Sequence, residues 1–519
     1  VKPRPASGPR AFFALSAALG ALALAWLYGQ DYAQRLGFDI DAFHHLASVR
    51  ELAKGEFPPA HNLVPGHTPQ GHYGPYLVLL GWLARVLAAP PATVLAVAGV
   101  ANLILHALLL RAVVVRLAGE GAGRWAALAP LLLWGPWPSL PSIGWPSLAW
   151  PGTTSLADAQ NFYYPNEAGI VLALAIVALL LAPPGSALVI GARRGGLALF
   201  LSGLLIATHP LSGLLLLAAL AALGADWLLA RAASARALAW LAALPAGGLA
   251  LAALWPYYPV LGLLPAFGIA WFRTGSQSLP ARVSGAALPE LLTPAPPPVS
   301  MPILSIIGPG VVGIPGLVQL ARRGRSFPLL WFLACLGVWL CPLVPMRHRF
   351  VFFAAIPLHI GACAFLELLW VSGRRIARTA AVLILLSGAA SAAMRIAWVL
   401  DCEIQSVAFV AALTPPDAVI LAKPGLSNGI AGMTGRKVVC PRNPDVFLIL
   451  AGGARRIMDV GRFFAGATAA ETRTAILRRW GVTHVLVDRL RTLPLALPYP
   501  IVYEGEGYVL YDVRSITKQ

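Results

Sequence analysis

Charge is what this chain has least of. Only 12% of its 519 residues are Asp, Glu, Lys or Arg, about half the share in an ordinary soluble domain. That shortage excludes a disordered protein, a coiled coil and a typical water-soluble enzyme. Carboxylates are scarcer still, with 21 Asp and Glu against 39 Lys and Arg. Cysteine numbers five, too few for a disulfide framework. Cys335, Cys341 and Cys363 fall in apolar runs, while Cys402 and Cys440 fall in a polar tail where pairing and two free thiols are equally open. The tail also lacks a phosphate-binding glycine pattern and any clear nucleophile–base pair.

What is present is hydrophobic. The apolar share is 58% and the mean hydropathy +0.73, as expected of a polytopic α-helical membrane protein. The run 11–28 follows Lys2, Arg4 and Arg10 and shows no clean small-residue cleavage site, so it reads as an uncleaved first helix. Further runs lie near 92–116, 124–138, 167–183, 196–209, 211–230, 237–257, 301–321, 327–345, 350–370 and 378–398, which makes eleven expected crossings. The segment Pro75–Pro90 is a twelfth candidate, but it is short of the roughly 20 residues a crossing needs.

Basic loops decide its status. If Pro75–Pro90 stays at the interface, then Arg111, Arg116 and Arg124, Arg193 and Arg194, Arg231 and Arg236, Arg322, Arg323 and Arg325, and Arg374, Arg375 and Arg378 all share a side with the basic N-terminus. This predicts the N-terminus inside and the C-terminus outside. The net charge of +18 is then a topological signal, with no nucleic-acid partner implied. A transmembrane domain over 1–399 follows, with outer loops at 30–91, 138–166 and 258–300. Residues 400–519 read as a small extracytoplasmic α/β domain, with strands at Ala418–Leu421, Lys437–Cys440, Thr483–Val487 and Gly507–Val513 and a helix at Ala469–Trp480.

On this topology most acids of the first 398 residues collect outside. The first outer loop reads FDIDAFHH, with Asp39, Asp41, His44 and His45, and then carries His61, His67 and His72. The plain reading is a solvated helix capped by Asp39 or Asp41. The alternative is a divalent-cation site at Asp39, Asp41 and His44, though no fixed zinc spacing is present. In the second loop, Asp158 and Glu167 flank Tyr163 and Tyr164. They read either as an interfacial aromatic belt or as a second polar wall of a site. A later outer turn, PMRHRF, places Arg347, His348 and Arg349 against the positive-inside trend. Snorkelling to headgroups and a fork for a lipid phosphate both fit. His209, in ATHPLSG, lies on another outer turn.

An acid just after the first span in FDIDAFHH, the GEFPP turn at Gly55–Pro59 and the proline-bearing HYGPYL at His72–Leu77 together resemble the GT-C superfamily of membrane glycosyltransferases. The tail, TPPDAVILA…GMTGRKVV…LRRWGVTHVLVD…YEGEGYVLYDV, is similar to the outer domain of bacterial GT-C-like proteins. The motifs are short, and their order and sidedness give them weight. The resemblance implies transfer of a sugar from a polyprenyl-phosphate carrier to an acceptor hydroxyl at the outer face of a bacterial plasma membrane. It makes Asp41 or Asp39 the general base and Arg347 and Arg349 the phosphate ligands. His348, His44, His45, Asp158, Glu167, Tyr163 and His209 become candidate substrate contacts. Some members use a divalent metal such as Mg, Mn or Zn and others do not, so the cofactor stays open. A transporter or flippase, a surface-polysaccharide polymerase or ligase, and an inactive scaffold are the competing readings. The absence of an internal repeat and the outer-edge acids count against a transporter.

Overall fold

The structure is a computed structural model. It describes residues 7–29, 40–67, 70–133, 162–181, 190–231, 234–262, 308–341, 350, 353–401, 407–442, 452–489, 497–505 and 507–517. Asp39, Asp158, Arg347, His348, Arg349 and Cys402 lie outside the described residues. The chain folds as two compact units: Val1–Arg35, Leu95–Leu254 and Pro298–Cys402 form the first, and Leu36–Val94, Trp255–Pro297 and Glu403–Gln519 the second.

The first unit is helical. Among the described residues, four helices are long and apolar enough to cross a membrane by length and composition: Gly8–Gly29, Pro91–Ala118, Pro210–Leu229 and Ala235–Ala253. Shorter apolar helices run over Pro165–Leu180, Phe327–Leu340 and Ala355–Val371. The expected run 124–138 is broken. It holds a turn and a five-residue helix at Leu128–Leu132 before the described residues stop at 133.

Small residues set the tightest crossing here. A Cβ on Gly316 would run into the backbone of Gly361, one on Gly313 into Leu358, and one on Gly361 into Gly313. The helices Gly313–Arg322 and Ala355–Val371 therefore meet backbone to backbone, the close approach that glycine permits between apolar helices. Gly316→Ala should cost about 1–3 kcal/mol by overpacking. A thermal unfolding midpoint in detergent equal to that of the parent would refute this.

Two acids of the first unit have basic partners. Glu120 pairs with Arg10 at 3.2 Å and with Arg111. Glu367 accepts from Arg124 at 3.0 Å and from the Trp125 indole at 3.1 Å.

The second unit is built around a mixed sheet of β1 (Val419–Leu421), β2 (Lys437–Val438), β3 (His484–Asp488), β4 (Ile501–Glu504) and β5 (Tyr508–Asp512). The strand order is β2-β1-β3-β5-β4. The β1 strand runs parallel to β2 and β3, and β5 runs antiparallel to β3 and β4. Side chains alternate between faces, as the two-residue strand period requires. Leu421, Val485, Val487 and Val509 meet Ile457, Phe463 and Leu477 from the helices Gly453–Phe464 and Ala470–Arg479. Ile420, Leu486 and Leu510 meet Ile430 of the Pro424–Thr434 helix together with Ala47, Leu63 and Val64 of the first loop. The sheet is thus covered on both sides, one of them partly by sequence more than 350 positions upstream.

The Pro75–Pro90 segment holds a helix over Pro75–Val86. Twelve residues rise about 18 Å, well short of the roughly 30 Å of hydrocarbon. Its Leu77, Leu80, Gly81 and Ala84 are buried, with Gly81 tight against Leu52. Leu79, Trp82, Val86 and Leu87 are exposed, Trp82 at 57%. An exposed apolar stripe on a helix too short to cross is what an interfacial helix requires.

Candidate functional site

In the second unit, the first-loop helix Ile40–Ala53 begins with Asp41 in its first turn, where the helix dipole favours a carboxylate. Asp41 is half-buried. His44 and His45 follow one turn later, both buried. The chain then returns through Asn62 and Gln70, whose side chains are also buried. Asn62 Nδ2 donates to His44 Nδ1 at 3.1 Å and to Ser48 Oγ at 2.8 Å. Gln70 Nε2 donates to Asn62 Oδ1 at 3.0 Å, and the same amide lies 3.1 Å from His61 Nε2. His72 Nδ1 meets Gln70 Oε1 at 3.2 Å.

Three imidazoles converge on this frame. The ring of His72 stands edge-on to His44 at 4.2 Å between centroids, and His45 lies 5.8 Å from His44 and 6.2 Å from His72. Burial, and then the neighbouring His72, His45 and His61, push His44 well below the usual imidazole range. Burial likewise brings His72 down to about 4. Near pH 7 both are therefore neutral, able to orient a polar group but not to act as cations toward a phosphate.

Neutral burial has a sign in pH. A histidine whose folded pKa is depressed stabilises the fold fully above the unfolded value, near 6.5, and loses that contribution as pH falls toward the folded value. For His72 the window runs from about 6.5 down to about 4. By pH 5 the loss is about 2 kcal/mol from this residue alone. The detergent-solubilised protein should melt lower at pH 5 than at pH 7. His72→Gln should flatten that dependence, and an unchanged slope in the variant would remove His72 as the cause.

A salt-bridged lysine fastens the same loop to the tail. Lys437 Nζ donates to Glu51 Oε2 at 2.7 Å and to the His61 carbonyl at 2.5 Å. Glu51 also pairs with Lys54 at 3.0 Å. Arg50 donates to the carbonyls of Ala431 and Gly432 near the end of the Pro424–Thr434 helix, at 3.1 and 2.5 Å, where cations are favoured. Gly432 is pressed against Phe43, leaving no room for a side chain.

The first unit holds a second polar group. Glu167 sits in the first turn of Pro165–Leu180, and its Oε1 lies 2.5 Å from His106 Nδ1 on the Pro91–Ala118 helix. Both side chains are buried. One turn before His106, Asn102 Nδ2 donates to the Phe162 carbonyl at 2.7 Å. Tyr163 and Tyr164 pack at 5.1 Å, and Tyr163 also faces Tyr28 at 6.0 Å. His209 caps the Pro210–Leu229 helix, with Nδ1 accepting from the Ser212 amide at 3.2 Å and lying 2.8 Å from Ser212 Oγ. Ser212 Oγ in turn reaches Asn166 Oδ1 at 3.4 Å. Within this unit the structure therefore joins Glu167, Tyr163, Tyr164 and His209 on neighbouring elements. His106, Asn102 and the buried His359 were not singled out in the sequence. A lone polar residue in an apolar run is the signal that marks them.

Asp41 and His44 share one helix, but among the described residues no group of three or more His, Cys, Asp or Glu side chains is arranged to hold a metal ion. Asp39, the third member of the candidate set, lies outside the described residues, and His44 Nδ1 is already engaged by Asn62.

The chain is similar to several solved structures. Archaeal oligosaccharyltransferase AglB from Archaeoglobus fulgidus, in complex with an inhibitory peptide and a dolichol-phosphate, superposes at a TM-score of 0.57 with 13% identity, over 92% of this chain and 69% of that one. The same organism's oligosaccharyltransferase in complex with Zn and sulfate gives 0.50 and 15%, over 86% and 63%. ArnT from Cupriavidus metallidurans bound to undecaprenyl phosphate gives 0.56 and 14%, over 98% of this chain and 99% of that one. No protein-family profile matches the sequence, and no curated protein matches it. At such identities the likeness is one of fold, and the fold of this helix-rich chain is GT-C-like.

Proposed function

We propose that the protein is a membrane glycosyltransferase that moves a hexosyl or pentosyl group from a polyprenyl-phosphate donor to an acceptor hydroxyl at the extracytoplasmic face of a bacterial plasma membrane. The observation that carries this is the end-to-end likeness to ArnT bound to undecaprenyl phosphate, over nearly the whole of both chains. Asp41, at the start of the first-loop helix, is the base. As the acceptor oxygen attacks the anomeric carbon, its proton passes to the carboxylate. The bond from that carbon to the phosphate oxygen breaks, and polyprenyl phosphate leaves with the electron pair. Asp39 is the alternative base.

The leaving phosphate needs positive charge as the bond breaks. Arg347 and Arg349, with His348 between them, fill that role, while Asp158 and Glu167 belong to a second acidic wall. The neutral His44, with His45 beside it, orients the acceptor. Eleven crossings with the N-terminus inside complete the reading, with residues 1–399 in the membrane part and 400–519 outside. The meeting of Arg10, Arg111 and Glu120 supports a shared inner face for those clusters.

The test is consumption of a radiolabelled undecaprenyl-phosphate sugar by purified protein in nanodiscs. Failure of the parent protein to consume any of a panel of such donors sinks the reading. Arg347→Ala and Arg349→Ala should each raise the donor KM about tenfold, the scale of one lost charge-assisted hydrogen bond. Unchanged donor dependence in both variants would take the phosphate role away from this turn.

A further inference from the structure

The second unit contains a cavity of about 360 Å³ between the first loop and the segment that follows the Ala235–Ala253 helix. Its lining combines aromatic rings with prolines and two polar side chains. Tyr73, Trp255, Tyr257 and Tyr258 contribute rings, and His67 and Gln70 contribute the polar groups. Trp255 and Tyr257 are stacked at 5.3 Å with 25° between planes, so the two rings support each other face to face as one aromatic platform. Phe57 braces Tyr257 edge-on at 5.2 Å.

The platform is held in place by hydrogen bonds directed away from its faces. Trp255 Nε1 donates to the Tyr73 carbonyl at 2.8 Å, and the Tyr73 hydroxyl donates to the Ala60 carbonyl at 2.6 Å. Rings fixed in this way present π-faces at little entropic cost. Gln70 is also the residue that ties together Asn62, His61 and His72. The cavity therefore shares a wall with the imidazole cluster beside Asp41's helix.

We propose that this cavity is a glycosyl subsite that seats one sugar ring of the substrate on the Trp255–Tyr257 platform, with its hydroxyls directed at His67. The proposal rests on the glycosyltransferase reading above and names a binding site that reading does not include. A sugar ring has an apolar face of C–H bonds and a rim of hydroxyls. The platform matches the first, and an exposed imidazole at the edge matches the second. The volume lies at the low end of the range for small-molecule sites, roughly 300–1,000 Å³. A hydrocarbon chain would fill the same space but would cover His67 without offering it a partner.

Binding is tested on the full chain in nanodiscs by saturation-transfer-difference NMR. The probes are methyl α-D-mannopyranoside, methyl β-D-glucopyranoside and methyl α-D-arabinofuranoside. At least one should receive saturation on its ring protons, and Tyr257→Ala should cut that signal at least fivefold while Tyr257→Phe keeps it. His67→Ala, a change at an exposed position, should weaken it severalfold and serves if Tyr257→Ala does not fold. No transfer to any glycoside, or transfer indifferent to all these changes, overturns the subsite. So does a Tyr257→Ala effect confined to the isoprene methyls of farnesyl phosphate. Preloading with undecaprenyl phosphate separates the two sources of the ring: a retained signal assigns it to the acceptor and a displaced one to the donor. Because the assay needs no turnover, glycoside binding without donor consumption would sink the enzyme reading alone, and donor consumption without glycoside binding would sink the subsite alone.

Discussion

Asp41→Asn is expected to lower sugar transfer by about 10²–10⁴-fold, the usual contribution of a general base. The substitution keeps the size of a side chain that sits in the first turn, so the first-loop helix Ile40–Ala53 should persist. It removes only the ability to take a proton. The acceptor hydroxyl would then attack without relief of the charge that builds on its oxygen. The loss should appear in the chemical step, read as a single-turnover rate with donor and acceptor both saturating, and leave the donor KM near that of the parent. Asp39→Asn is the companion. If Asp41→Asn keeps full transfer and Asp39→Asn loses it, the base is Asp39. If both keep it, neither carboxylate takes the proton.

The second large effect is on stability. His106→Ala should cost about 1–3 kcal/mol, the scale for leaving a buried polar group without its hydrogen-bond partner. Glu167 is buried with its Oε1 2.5 Å from His106 Nδ1, and removing the imidazole leaves a carboxylate without that donor. Glu167→Gln keeps an acceptor for Nδ1 and removes the charge, so it should cost less. The double change His106→Leu with Glu167→Leu should recover much of the loss, since an apolar pair of similar volume replaces a desolvated one. Denaturant midpoints in detergent decide between these outcomes. A His106→Ala midpoint equal to that of the parent would show that the contact contributes nothing to stability.

The sequence spoke clearly where composition alone decides structure. Several long apolar runs became helices, the run 124–138 being an exception, and the shortage of residues in Pro75–Pro90 anticipated the short Pro75–Val86 helix. Period-two patterning located β1, β2 and β5 within the stretches expected to be strands, and β3 to within one residue at its end. The strand Ile501–Glu504 escaped notice because it is an edge, mostly exposed, with no buried alternation to read. The helix Pro424–Thr434 escaped because its glycines and polar residues look like a loop until Gly432 is seen pressed against Phe43.

The polar groups divide along similar lines. Asp41 and Glu167 stood out because acids are rare in the first 398 positions. Their surroundings did not. His106 and Asn102 sit inside an apolar run that reads simply as a crossing, and only the approach of Glu167 and Phe162 gives them partners. Lys437 is one basic residue among many until Glu51 meets it from 386 positions away. No local pattern encodes such a pairing.

That last contact also bears on how the protein is made. The second unit draws on residues 36–94, 255–297 and 403–519, so its earliest segment leaves the ribosome hundreds of residues before its latest. Until Lys437 emerges, Glu51 lacks that partner, and Ala47, Leu63 and Val64 lack the sheet they cover. Closing so long a loop is slow, and a nascent chain with an uncovered apolar face is exposed to aggregation. The first loop is therefore a stretch of newborn chain that needs shelter by a chaperone, and a ribosome stalled before Lys437 is added would leave it open to proteases.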